Sequence, residues 1–146
     1  VAVSSLTLLA ANLYHAALPV CVMVDARKQE VYSACYQVQA YPTLLTEESA
    51  LPPDTLCGQI QETTIFVGDG ALLYHDRIVA HLGSRAIFAP EQLAVPRPAI
   101  GCRLAEQQFA HNGPCPPEQL LPRYLRLSEA EVALNKRQNC NENKKI

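Results

Sequence analysis

The stretch Asp25-Ala26-Arg27-Lys28-Gln29-Glu30-Val31-Tyr32 holds the densest set of groups able to do chemistry. An Asp at a strand end, an Arg in the turn and a Glu on the return strand can line one edge of a cleft. In a phosphotransferase, a carboxylate placed there orients a metal or a water. The competing reading is structural: Asp25 and Arg27 satisfy the turn backbone and pair with each other. The structural reading is the stronger, because no second carboxylate lies at metal-ligand spacing.

Gly68-Asp69-Gly70 offers a second chemistry. At a strand-to-helix junction its backbone N–H groups can cradle a phosphate. The stretch lacks the third glycine and downstream acid of a dinucleotide fingerprint, and no Walker lysine follows. A tight turn needing positive φ is the better reading. The four histidines, His15, His75, His81 and His111, form neither H-x-x-x-H nor H-E-x-x-H. His75 and His81 fall on different faces of one predicted helix, so no metal site is expected. There is no G-x-S-x-G elbow, and no local signature pairs a Cys with a His. In the tail, Lys136, Arg137, Lys144 and Lys145 outnumber Glu142, which reads as a solvated segment rather than an RNA arm.

Composition narrows the class further. The chain has 146 residues, 49% of them hydrophobic, a net charge of −2 and no Trp. That apolar fraction excludes intrinsic disorder. The length suffices to bury roughly two thirds of the unfolded surface in one core. No apolar run approaches the ~20 residues a membrane span needs, and no basic footprint for gripping nucleic acid is present. The six cysteines, Cys21, Cys35, Cys57, Cys102, Cys115 and Cys140, contain no C-x-x-C. Cys21 and Cys35 sit in apolar strand-like runs, where free Cys behaves as a small hydrophobe. Reduced cysteines are therefore expected over a disulfide framework. The single methionine is Met23, so Val1 is expected not to be a translation start and the chain to be a processed product or fragment.

These residues need elements to hold them. Val1–Ser5 reads as a strand end running into a helix capped by Ser4 or Ser5, with Leu6, Leu9, Leu13 and Ala17 at helical spacing until Pro19. Val20–Ala26 reads as a strand buried on both faces, and Glu30–Val38 as its antiparallel hairpin partner. Thr43–Thr46 is expected as an edge strand, beside Pro42. A short helix follows Pro52-Pro53, then a strand over Thr63–Val67. Next come a helix over 71–82 capped by Gly83, a strand over Arg85–Ala89 and a helix over Pro98–Ala110. Pro122–Leu127 is expected as a last edge strand. The order predicts an α/β lobe with a mixed β-sheet and flanking helices, in the ribonuclease-H-like arrangement of actin-like ATPase lobes. Residues 1–130 form that lobe and 131–146 a polar, flexible tail.

Four stretches taken together resemble the bacterial TsaB (YeaZ) family. These are Val3-Ser4-Ser5-Leu6 with its Ala/Leu helix, Val24 to Tyr32, Val67-Gly68-Asp69-Gly70, and Pro122-Arg123-Tyr124-Leu125-Arg126. D-A-R-x-x-E-V-Y is the specific part, and the match covers roughly residues 1–130, the second half of the family pattern. The resemblance implies an actin-like ATPase fold of two lobes, descended with the glycoprotease-like M22 proteins. It implies a role in making N6-threonylcarbamoyladenosine in tRNA, as a catalytically degenerate partner of the TsaD subunit that holds the metal and the chemistry. TsaE, an ATPase, joins them.

The family's first lobe, with a D-T-A-T-like strand and a G-x-G-S-F-T-G-like loop, has no counterpart in these residues, so the chain is expected to be the C-terminal lobe. Gln29 stands where the family commonly has glycine. On this resemblance no catalytic residue, metal or cofactor is expected in the chain itself, with ATP and a metal used by its partners. Asp25, Arg27, Glu30, Tyr32, Gly68 and Gly70 would shape the inter-lobe or partner-binding edge, and Tyr124 and Arg126 would anchor the last strand. The expected partners are TsaD-like and TsaE-like subunits and a second copy through the N-terminal lobe. Contact with tRNA would be indirect, no membrane would be involved, and the location would be cytoplasmic. The competing readings are an M22 glycoprotease-like metallopeptidase, an ATP-binding phosphotransferase with Asp25 acting through a metal, and a secreted disulfide-stapled module.

Overall fold

The computed structural model describes residues 1–126. The expected tail over 131–146, Leu127 at the end of the last expected strand, and Cys140 lie outside the described residues.

The apolar run after Pro19 forms β1 (Val20–Asp25), which hairpins into β2 (Val31–Val38). The two strands pair antiparallel, from Val20 opposite Tyr36 to Asp25 opposite Val31. β3 (Pro42–Leu44) and β4 (Ser49–Leu51) both pair antiparallel with β2, one at each half of its length. Together they act as one interrupted third strand. β5 (Thr64–Val67) lies parallel to β1, and β6 (Ala86–Phe88) parallel to β5. The sheet order is β3-β2-β1-β5-β6, with β4 on β2. Three antiparallel elements followed by two parallel ones give the ribonuclease-H-like lobe.

Period-two alternation splits the core into two layers. Cys21 and Met23 of β1, Val31 and Cys35 of β2, and Phe66 of β5 face one side. There they meet Leu56 and Cys57 of α2 (Pro53–Gln59), Ala71 of α3 (Asp69–Leu73), and Ile78 and Leu82 of α4 (His75–Leu82). Val20, Val22, Ala34, Tyr36, Val38 and Val67 face the other side, against Leu6, Leu9 and Ala10 of α1 (Ser5–Ala10). Each fully buried Val, Leu or Phe contributes roughly 1.5–3 kcal/mol, so both layers are needed to hold a sheet of short strands. α5 (Pro98–Asn112) buries Leu104 and packs on α1, with Gly101 lying 3.6 Å from the Leu8 side chain when a Cβ is placed on it. Asp54 of α2 forms a two-pronged ion pair with Arg77 of α4, Nε to Oδ1 at 3.2 Å and Nη2 to Oδ2. The Arg77 hydrogen bonds hold the Asp54 carboxyl below its ordinary value.

Several expectations are corrected. Val1–Ser4 is not a strand, although Ser4 is the N-cap of α1 and its Oγ accepts from the Leu6 N–H. α1 stops at Ala10 and gives way to a 3-10 turn over Ala11–Leu13 instead of running to Ala17. Asn12 spends its amide on the Leu93 and Val95 carbonyls (2.7 and 3.0 Å). His15 then takes a φ of +57° with its N–H on the Gln39 carbonyl, which turns the chain toward β1. The single helix expected over 71–82 is broken into α3 and α4 at Tyr74 (φ −104°, ψ 19°), whose ring packs on the buried cluster. Residues 122–126 form no strand. Pro122 has no N–H for a ladder, and the segment is held through side chains instead.

At the junction after β5 two backbone segments meet closely. Gly68 sits at φ +114°, and a Cβ there would lie 2.2 Å from the Met23 carbonyl oxygen. By contrast, Gly58 in α2 has nothing within 4 Å of its Cβ position. Gly68→Ala is therefore expected to destabilise the protein by at least about 3 kcal/mol, from strain and backbone collision together. Gly58→Ala is expected to stabilise it by up to about 1 kcal/mol through helix propensity. Urea unfolding midpoints of the two variants check the opposite signs.

Candidate functional site

The β1–β2 turn is built on an unusual backbone. Arg27, Lys28 and Gln29 have φ of +62°, +52° and +62°, three consecutive left-handed residues without a glycine. Each costs roughly 1–2 kcal/mol, so the surroundings must hold the turn in place. The Ala26 N–H donates to the Glu30 carbonyl and the Glu30 N–H to the Arg27 carbonyl, both at 3.0 Å. Asp25 Oδ1 accepts from the Arg27 N–H at 3.0 Å, and Asp25 Oδ2 lies 3.4 Å from Arg27 Nη1. The Asp25 side chain is 13% exposed and that of Arg27 88%. Both oxygens of Asp25 are thus engaged by the turn.

Arg126 closes the turn from outside. Its Nη1 donates to the Ala26 carbonyl at 3.2 Å, and its Nε lies 3.4 Å from Glu30 Oε2. With both side chains about one third exposed, the ion pair is worth about 1 kcal/mol or less. Its role is positional: it ties the end of the described chain to the hairpin.

Gly68-Asp69-Gly70 joins the same place from the parallel side. Asp69 Oδ1 accepts from the Asp25 N–H at 3.1 Å and from the Gly70 N–H at 2.8 Å. A Cβ on Gly70 would lie 2.9 Å from the Met23 oxygen and 3.1 Å from the Asp25 nitrogen. Both glycines are there to let the β5–α3 turn press against the end of β1. Both glycines are buried, the Gly70 N–H is taken by Asp69, and α3 has five residues. The motif works as a backbone weld, and Asp69 is its third member, overlooked when only the glycines were singled out. An Asp between two glycines at a strand-to-helix junction was the available signal.

Beside the hairpin, on the α1 side of the sheet, lies an open cleft of about 990 Å³. Val24, Tyr32 and Tyr36 of the sheet line it together with Glu48, Arg123, Tyr124 and Arg126. Tyr32 is half-buried and Tyr124 is 84% exposed. Tyr124 therefore anchors nothing within residues 1–126 and stands at the rim. Glu48, whose side chain is 9% exposed, is the electrostatic centre of this lining. Its Oε1 accepts from Tyr36 OH at 3.2 Å and from Ser4 Oγ, and its Oε2 lies 3.6 Å from Arg123 Nη1. Burial, with the Glu48 carboxylate beside it, pushes the Tyr36 phenol well above its ordinary value, so it stays a donor. Glu48 carries no motif, and its partner Ser4 lies 44 positions away.

The remaining candidates stay apart. His75 stacks on Phe88 with ring centroids 4.2 Å apart and bonds Asp76 at 3.0 Å. His111 is on α5, with Nδ1 3.2 Å from the Gln107 carbonyl oxygen. Among the described residues no three His, Cys, Asp or Glu side chains converge in a way that could hold a metal ion. Every described cysteine is free.

Two stability series check this geometry. At position 29, where φ is +62°, the expected order is Gly above Gln above Val. Gln29→Gly gains up to about 1 kcal/mol and Gln29→Val loses more than about 1 kcal/mol. Glu48→Ala, which takes an acceptor from Ser4 and Tyr36 and the ion-pair partner from Arg123, is expected to cost roughly 1–3 kcal/mol. Tyr124→Ala at the exposed rim is expected to stay within about 0.5 kcal/mol. Thermal and chemical unfolding of the purified variants reads both.

No protein-family model matches the chain, and no curated protein matches it significantly. Solved structures do. It is similar to YeaZ from Pseudomonas aeruginosa, at 30% identity and a TM-score of 0.68 over 85% of the chain. It is similar too to a protein from the same organism described as resembling peptidase YeaZ, at 28% identity and a TM-score of 0.68 over 86% of the chain. The chain spans 59% and 58% of the lengths of these two proteins. The sheet order, the flanking helices and the two likenesses agree: the chain has the TsaB/YeaZ-like fold.

Proposed function

We propose that the chain is a non-catalytic scaffold lobe in the complex that makes N6-threonylcarbamoyladenosine in tRNA. In this reading it partners a TsaD-type catalytic subunit and a TsaE-type ATPase, which use the metal and the ATP, and it meets tRNA only through them. The observation that carries the reading is the 30% identity to YeaZ over 85% of the chain at a TM-score of 0.68. The geometry of the hairpin supports it. Asp25 is committed to Arg27 and its own turn, and Asp69 to two backbone N–H groups. A carboxylate that orients a metal or a water needs free oxygens; here Asp25 Oδ1 and Asp69 Oδ1 hold backbone N–H groups, and Asp25 Oδ2 faces the Arg27 guanidinium.

The hairpin edge then serves as contact surface. Arg27 is exposed at the tip, Glu30 and Arg126 lie beside it, and Tyr32 and Tyr124 offer flat apolar area with a polar end, a side-chain type suited to interfaces. No helix of the described residues is long and apolar enough to cross a membrane. The second reading, a metallopeptidase or phosphotransferase acting through Asp25, draws on the word peptidase in the description of one similar protein.

One experiment separates the two. The purified chain is assayed alone, then with TsaD-type and TsaE-type subunits, ATP, tRNA and an activated threonylcarbamoyl donor. The expected result is neither ATP hydrolysis nor modified adenosine from the chain alone, and capture of the TsaD-type subunit by it. Turnover by the chain alone that Asp25→Ala abolishes would overturn the proposal.

A further inference from the structure

We propose that Cys21 and Cys35 form a modification site: a dithiol that a small hydroperoxide converts to a cross-strand disulfide. The two residues are direct partners in the β1–β2 register. Two observations give the kind of pair. The hairpin closes with the Ala26 N–H on the Glu30 carbonyl, so ladder bonds fall on Val24/Tyr32, Val22/Ala34 and Val20/Tyr36. The pairs between them, Cys21/Cys35 included, are non-hydrogen-bonded. Independently, the Cys35 N–H donates to Thr46 Oγ1 at 2.9 Å, and its carbonyl accepts from the N–H groups of Leu45 at 2.8 Å and Thr46 at 3.3 Å. Both backbone groups of Cys35 thus point away from β1.

In a non-hydrogen-bonded pair the Cα atoms lie about 4.5 Å apart with side chains close, inside the disulfide range of about 4.4–6.8 Å. Both side chains belong to the same buried layer, so closure requires no shift of strand register. Access is present as well. Cys35 lines a small cavity of about 180 Å³, walled by Pro19, Leu45, Leu56, Ile60 and Thr64. Cys35 is 7% exposed and Cys21 fully buried.

The environment sets the order of the two sulfurs. Cys21 beside it draws the Cys35 thiol below its ordinary value despite its burial, with Thr46 adding to the effect, while the Cys21 sulfur itself lies 3.7 Å from Ser33 Oγ. Cys35 and burial push Cys21 up. Cys35 attacks as thiolate on one peroxide oxygen, the O–O bond breaks, and the departing alkoxide, or hydroxide where the oxidant is hydrogen peroxide, takes a proton from water. Cys35 is oxidised to a sulfenic acid and the peroxide reduced to an alcohol or to water. Cys21 then attacks the Cys35 sulfur: the S–S bond forms, the S–O bond breaks, and hydroxide leaves with the Cys21 proton as water. A dithiol reductant reverses the pair. Cys57, on α2 in the same layer, has no place in this strand pair.

The test uses the full chain, hydrogen peroxide and mass spectrometry after alkylation in denaturant. The expected result is a Cys21–Cys35 peptide link, reversed by dithiothreitol and formed at least roughly tenfold faster than Cys57 is lost, as thiolate character and access dictate. In Cys21→Ala, Cys35 is expected to stop at sulfenic acid and be trapped by dimedone. Full recovery of both thiols while exposed Cys102 oxidises would overturn the proposal. So would a Cys35–Cys57 link, or Cys35 passing to sulfinic acid in the unaltered chain. The unaltered chain decides the question even where a variant fails to fold.

Discussion

The contact on which the rest depends is the approach of the β5–α3 turn to the end of β1. Only a residue without a Cβ fits at Gly68, 2.2 Å from the Met23 oxygen, and Gly70 is nearly as confined. Asp69 then bridges the Asp25 N–H and the Gly70 N–H. This weld sets β5 parallel beside β1 and fixes the point at which β1 turns into the hairpin. The hairpin in turn carries Arg27, Glu30 and Tyr32, and Arg126 locks onto it from the last described segment. A change in the weld moves every one of these groups together.

The weld accounts for the carboxylates gathered at this end of the sheet. Asp25, Glu30, Glu48 and Asp69 each have a cation or an N–H donor within reach. An interface needs its charged groups held in place before the partner arrives, since ordering them at binding costs affinity. The three left-handed residues of the turn are the strained part of the arrangement, and their strain is offset by the two backbone bonds and the Asp25 carboxylate around them.

What was legible in the sequence follows the range of the interaction. β1 declares itself through an apolar run and β2 through its Val and Tyr content, and the three polar residues between them favour a hairpin. Ser4 and Gly83 mark helix ends by local chemistry. The pairing of Asp25 with Arg27 is local too and was readable at two residues' distance. By contrast, Asp69 reaches Asp25 and Glu48 reaches Ser4 across 44 positions, and no local pattern encodes either. β4 is three half-buried residues whose only signature is their place on β2. The break at Tyr74 and the loss of the strand over 122–126 are tertiary choices that override local spacing.

The central claim is that Asp25 and Asp69 act structurally, holding in shape the hairpin edge proposed to bind a partner. Asp25→Asn and Asp69→Asn, each measured for thermal stability and for modified adenosine formed in the reconstituted complex below the melting temperature, test it most directly. The account predicts a lowered melting temperature for both variants with modification per folded molecule unchanged. Unaltered stability with lost modification would contradict it.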